Sequence, residues 1–117
     1  MKIQDFITKL KEQPQDVAFA DTMATIEANY TFTATTFKNG DTTNEAGQNS
    51  GSCKLFAFAK IQELSTQDTL ACFGEYYRND VLENPNGTDH QNIRNFVAHS
   101  WSEISFEGKA LVRITQD

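Results

Sequence analysis

The stretch that decides the fold is N-E-A-G-Q-N-S-G-S-C-K-L-F-A-F-A-K-I, Asn44 to Ile61. From Asn44 to Lys54 it carries no large apolar side chain, and from Leu55 to Ile61 it is almost continuously apolar. Loops that only connect elements usually run to about four to six residues of mixed composition. This one sets glycines, asparagines, a glutamine, a carboxylate and a thiol directly before a buried element. That is the make-up of a loop shaped for close backbone approach or for chemistry. Ser50 or Ser52 is placed to cap the helix that follows. Its polar residues, Lys54, Lys60, Gln62 and Glu63, share no single face at about 100° per residue. A helix apolar on most sides belongs at the centre of a fold.

Working outward, Ile3, Phe6, Ile7 and Leu10 form one helical stripe, which Gln13-Pro14 ends. Asp21 is a candidate N-cap for a second helix carrying Met23 and Ile26. Tyr30 to Phe37, rich in Thr and Phe, reads as a short strand running toward the turn signal Asn39-Gly40. After the central helix, Ser65-Thr66-Gln67-Asp68 is an S-x-x-D capping signal. It opens a helix with Leu70, Phe73, Tyr76 and Tyr77 on one stripe, extending toward Asp80–Glu83, before the turn Asn84-Pro85-Asn86-Gly87. Thr88 or Asp89 caps a fifth helix with Ile93, Phe96, Val97 and Trp101 as its apolar residues. Ile104 and Phe106, then Glu107-Gly108, then Ala110 to Ile114, fit a C-terminal hairpin. The expected fold is α+β and predominantly helical: about five helices around a central buried helix, with short β-strands and that hairpin, in a single domain, 1–117.

The formal charge is −6, and the ten basic residues are scattered, with no cluster denser than Lys9 and Lys11. Phosphate recognition needs clustered Lys and Arg, so nucleic acid is not an expected partner. The same reasoning argues against an anionic membrane surface, and no run approaches ~18 apolar residues. The N-terminus lacks the apolar stretch of a secretory signal. A cytoplasmic location, with Cys53 and Cys72 reduced, is the default, and the expected partner is a protein or a small molecule.

Cys53 is the sharpest chemical candidate. In the first turn of a helix capped by Ser52, the dipole and free N–H groups would favour a thiolate. The run from Gln48 to Phe58 is similar to a papain-like stretch in which Gln precedes G-S-C and an aromatic helix. Gln48 would then supply an oxyanion-hole amide, His90 the base, and Asp89 or Asn92 the orienting group. The alternative is that Cys53 is a small buried residue under the loop, and that Asp89 and His90 serve only the helix start. Read as a binding surface, the candidates are Asn44, Glu45, Gln48, Asn49 and Asp89. His90 and His99 face opposite sides of a helix, so they cannot share a metal, and no metal or cofactor motif occurs. Of Tyr76 and Tyr77, one should lean toward solvent or the polar loop.

Five stretches carry a family resemblance: F-A-D-T-M-A (Phe19 to Ala24), N-E-A-G-Q-N-S-G-S-C-K-L-F-A-F (Asn44 to Phe58), A-C-F-G-E-Y-Y (Ala71 to Tyr77), G-T-D-H-Q-N-I-R-N-F (Gly87 to Phe96) and F-E-G-K-A-L (Phe106 to Leu111). On these the chain resembles the HopJ family of type III effector proteins. The resemblance implies export into a host cell, and it brings no assigned reaction, cofactor or catalytic residue. The leading expectation is a small soluble protein acting through binding or interaction, and the alternative is a Cys-His thiol hydrolase or transferase. Export signals of that kind tend to be Ser-rich and unstructured. Here a helical pattern starts at Ile3 and the first seven residues contain no Ser, so an ordinary cytoplasmic role is the second expectation.

Overall fold

A computed structural model describes residues 2–114. In chain order the elements are α1 (Ile3–Glu12), a single turn (Pro14–Asp16), α2 (Phe19–Asn29), β1 (Tyr30–Phe32), β2 (Phe37–Asn39), β3 (Thr42–Asn44), α3 (Ser50–Ile61), α4 (Thr66–Ala71), a π-wound segment (Tyr76–Val81), α5 (Gln91–His99), a second short turn (Ser100–Glu103), β4 (Ile104–Phe106) and β5 (Leu111–Arg113). The class is α+β and predominantly helical.

The apolar run becomes α3, and it is the centre. Leu55, Phe56, Phe58 and Ala59 are all fully buried. Phe56 meets four aromatic rings: Phe96 at 5.1 Å, Phe73 at 5.4 Å, Phe37 at 6.2 Å and Trp101 at 6.3 Å. Phe58 packs edge-on against Phe6 and Tyr30. The two lysines of α3 do not need a polar face. The Lys54 ammonium lies over the ring of Phe32 and 3.5 Å from Glu27 Oε1, and the Lys60 ammonium lies over the ring of Phe106. At its far end α3 closes with Glu63 in the left-handed region (φ 54°). Leu64 N–H bonds back to Ala59 O and Glu63 N–H to Lys60 O. That is a Schellman closure with Glu where Gly is usual.

The strands pair differently from the expected C-terminal hairpin. β4 and β5 do not pair with each other: β4 joins β2, and β5 joins β1. The expected strand Tyr30 to Phe37 is likewise split between β1 and β2. One register explains both. Phe32 lies opposite Leu111, and five residues on Phe37 lies opposite Phe106, five residues back. The segment 30–39 and the tail 104–113 are thus one antiparallel ribbon, opened in the middle. Glu107 N–H bonds to Thr36 O and Thr33 N–H to Ala110 O at the edges of the opening. Gly108 serves this opening and not a turn: a Cβ there would sit 2.9 Å from Thr35 Oγ1. The two-residue hairpin lies elsewhere, between β2 and β3, with Gly40 at φ 63°.

Three expected helix caps move. Helix α2 starts two residues before Asp21, because Glu75 Oε1 accepts from Phe19 N–H at 2.8 Å, while Asp21 accepts from Ala18 N–H at 3.0 Å. Helix α3 is preceded by Asn49 and α5 by His90, both left-handed and neither giving a side-chain cap. Ser65 does cap α4, accepting from Asp68 N–H. That helix ends at Ala71, short of the expected stripe. Gly74, at φ 59°, passes so close to α2 that a Cβ would meet Phe19 N at 2.5 Å. The chain then rewinds as the π-type segment, with Leu82 N–H bonded to Tyr77 O. In α5, Ile93 and Phe96 are buried as expected, but Val97 is 49% exposed.

Phe56→Ala removes the ring on which four others rest. It should cost about 3–5 kcal/mol, the range for large core truncations. Urea denaturation measures this, and a loss below about 1 kcal/mol would place the centre of the core elsewhere.

Candidate functional site

The starts of α3 and α5 face one cleft of about 360 Å³. One wall is Asn49, Gly51 and Ser52, and the opposite wall is His90 to Ile93. Phe19, Phe73 and Tyr76 supply an aromatic side, and Thr42 reaches in from the hairpin. All of these except Thr42 fall within four of the five stretches that carry the family resemblance.

Among the described residues, no hydrogen-bond partner is found for the backbone N–H of Gly51, Ser52, Gln91 or Asn92. These are the open donors that every helix start leaves. At α2 and α4 side chains of Asp21, Glu75 and Ser65 serve such groups, whereas α1 has no side-chain cap. Here the residue before each helix is left-handed, and its side chain is used for something else.

Asn49 points its amide at Asn44 Oδ1, 2.6 Å away. Asn44 belongs to a buried amide cluster. It exchanges two hydrogen bonds with Asn92, at 3.0 and 3.1 Å, and Asn39 donates to both the backbone O (2.7 Å) and Oδ1 (3.1 Å) of Asn92. Asn95 continues the cluster, donating to Asn39 O and Thr42 Oγ1. The cluster locks the β2–β3 hairpin to the starts of both helices and so fixes the width of the cleft. Among the described residues, Asn39 Oδ1 is buried without a hydrogen-bond partner.

His90 Nε2 lies 2.9 Å from Asp80 Oδ2 on the π-wound segment, and its ring stacks on Tyr76 at 5.3 Å. Tyr76 is therefore the tyrosine that leans toward the polar loop. Behind His90, Arg94 ties down the incoming loop, donating to Asp89 O and Oδ1, Asn84 O and Asp80 O. The Arg94 guanidinium hydrogen-bonded to the Asp89 carboxylate holds it below the usual carboxylate range.

The other residues singled out from sequence are placed as follows. Gln48 and Glu45 bond to each other, Glu45 N–H to Gln48 Oε1 and Gln48 N–H to Glu45 O. Glu45 borders a separate shallow hollow, with Thr43 and Glu107. Asn44 and Asn92 bond to one another in the amide cluster, Asn92 also forming part of the cleft wall. Cys53 is not brought to His90. With Asn49 ahead of the helix, Cys53 is the first residue whose N–H is already paired, to Asn49 O. Its buried sulfur faces Thr35 O at 3.9 Å and is not part of the cleft lining. Burial pushes its pKa up, partly offset by that contact. Cys72 is pushed up more strongly, by burial and then by Asp68. Among the described residues no group of three or more His, Cys, Asp and Glu is arranged to hold a metal, and no helix is long and apolar enough to cross a membrane.

Residues 3–111 match the family model described as HopJ type III effector protein. The chain is also similar to a crystal structure titled as that of the unknown-function protein VPA0580. The two are 49% identical, with a TM-score of 0.96, over 97% of this chain and 95% of that one. No curated protein matches.

Asn44→Ala strips an acceptor from the buried Asn92 amide, whereas the exposed Asn49 amide can turn to water. It should cost about 1–3 kcal/mol, the range for one stranded buried polar group. Asn86→Ala on the exposed loop should stay within about 0.5 kcal/mol. Urea midpoints of the two variants check this.

The thiols make a pH prediction. Their folded pKa values are raised, so the unfolded chain ionises first, from about 8.5. Their contribution to stability is full below that pH and is lost as pH rises toward the folded values. The urea midpoint should fall in alkali, and Cys72→Ala should flatten that fall. An identical slope in the variant would assign the loss to other groups.

Proposed function

The chain belongs to the HopJ type III effector family, and we propose that it acts by binding, through the cleft between the starts of α3 and α5. The observation that carries this reading is convergence. Stretches centred on Phe19, Ser52, Tyr76 and His90, far apart in sequence, meet at one opening that keeps unpaired backbone donors. The ligand is a small molecule, or a side chain presented by a partner protein. Its flat part lies against Phe19 and Tyr76, and a hydrogen-bond acceptor faces Gly51, Ser52, Gln91 and Asn92. Asn49 and His90 shape the two rims. The family description supports a partner in a host cell reached by type III export, which a translocation reporter fused to this chain would test.

Thiol hydrolysis at Cys53 is the weaker reading, because a nucleophile and its base need to sit within hydrogen-bond reach of one another. The buried Cys53 sulfur is turned toward Thr35 O instead.

The binding reading predicts amide shifts. Benzoate and benzamide, each a flat ring bearing an acceptor, should move the Gly51, Ser52, Gln91 and Asn92 amide signals in a saturable way. Tyr76→Ala should weaken the effect about tenfold, the loss of about 1.4 kcal/mol of ring contact. The reading fails if neither probe moves those amides, or if both act equally on the hollow beside Thr43 and Glu107.

A further inference from the structure

The dipeptide Asn-Gly occurs twice, at Asn39-Gly40 and Asn86-Gly87. It is the pair most open to intramolecular attack, because glycine presents an unhindered backbone nitrogen next to a side-chain amide. The structure gives the two copies opposite surroundings.

Asn39 is fully buried in strand β2. Its amide nitrogen is held by Asn92, and Gly40 N–H is held by Glu103 O at 3.1 Å. Asn86 is exposed, and among the described residues its side chain has no hydrogen-bond partner. Only the turn bond from Gly87 N–H to Asn84 O, at 3.0 Å, restrains it. The neighbouring Asn84 is followed by Pro85, which has no N–H to attack with.

We infer that Asn86 is a site of spontaneous deamidation that alters the loop holding His90, and that Asn39 is protected by the fold. The Gly87 nitrogen bonds to the Asn86 side-chain carbonyl carbon and gives up its proton. The carbon–nitrogen bond of the side-chain amide breaks, and ammonia leaves. Water then opens the resulting five-membered imide at either carbonyl, leaving aspartate or isoaspartate.

The consequence follows from packing. Arg94 lies directly against Gly87, with Nη2 only 2.5 Å from where a Cβ would sit. The same guanidinium holds Asn84 O, Asp80 O and Asp89. An isoaspartate lengthens the backbone at this contact, and either product adds a carboxylate that competes with Asp89 for Arg94. Asp89 loses its anchor immediately before His90 at the rim of the cleft.

The test is ageing of the purified full chain in mildly alkaline buffer, followed by tryptic mass mapping. Cleavage after Lys38, Lys54, Arg78 and Arg94 puts the two copies in separate peptides, 39–54 and 79–94. The amide-to-acid mass gain should appear in 79–94, localise to Asn86 by fragmentation, and vanish in Asn86→Gln. Peptide 39–54 should convert at least an order of magnitude more slowly until urea opens the fold. Equal rates in the two peptides, or a gain that survives Asn86→Gln, would overturn the assignment. Hydrogen exchange of the aged protein should quicken at Asp89 and His90. Full conversion with unchanged exchange there would overturn the effect on the loop.

Discussion

A helix with no polar face cannot meet water along its length, and α3 imposes that condition on everything around it. Leu55, Phe56, Phe58 and Ala59 point in different directions and all are sealed. The elements around α3 each supply an apolar side chain to it, from Phe6 of α1 to Phe96 of α5 and Phe37 of the ribbon. Each buried aromatic contributes about 1.5–3 kcal/mol by transfer alone, so the arrangement is strongly held. A fully wrapped helix has only its two ends left for polar business. One end is closed by the Glu63 turn. The other opens into the cleft, which is why the polar loop stands immediately before the most apolar part of the chain.

The amide cluster converts that end from a loose loop into a fixed edge. Asparagine suits the task for two reasons. It carries both a donor pair and an acceptor, so a few residues can satisfy one another in the dry interior. It also tolerates the left-handed backbone better than other non-glycine residues, as at Asn49. The exposed Asn49 amide and the buried Asn44 and Asn92 amides bond sideways to each other and not forward onto the helix starts. The open N–H groups at Gly51, Ser52, Gln91 and Asn92 are the direct result.

Much of this was legible in the sequence because it is local. The apolar run, the helical stripes of α1 and α5, the S-x-x-D start of α4 and the Asn39-Gly40 turn depend on neighbours within a few residues. The cap before α2 was not legible, because Glu75 serves it from 56 positions away. The break after Ala71 was hidden for the same reason, since Gly74 answers to the backbone of Phe19. At the cleft, sequence pointed to two of the segments that line it, around Asn49 and His90, and paired His90 with Cys53. Cys53 is near it in imagined chemistry, whereas Asp80, on a segment wound out of normal helical phase, is near it in space. Phe19, Ser52 and Gln91 were missed because nothing in their spacing distinguishes a cleft lining from ordinary core or surface.

The ribbon formed by residues 30–39 and 104–113 carries one register through an opening. Bringing Phe37 to Phe106 means closing a loop of nearly seventy residues, a large entropic cost in a growing chain. Once that contact exists, Leu111 has only five residues on each strand to cross before it meets Phe32. The second sheet therefore inherits its alignment and needs little search of its own. A shift by one residue would turn Phe32 and Leu111 to the wrong face and would also require Phe37 and Phe106 to part. The two three-residue pairings, β1 with β5 and β2 with β4, thereby share one alignment.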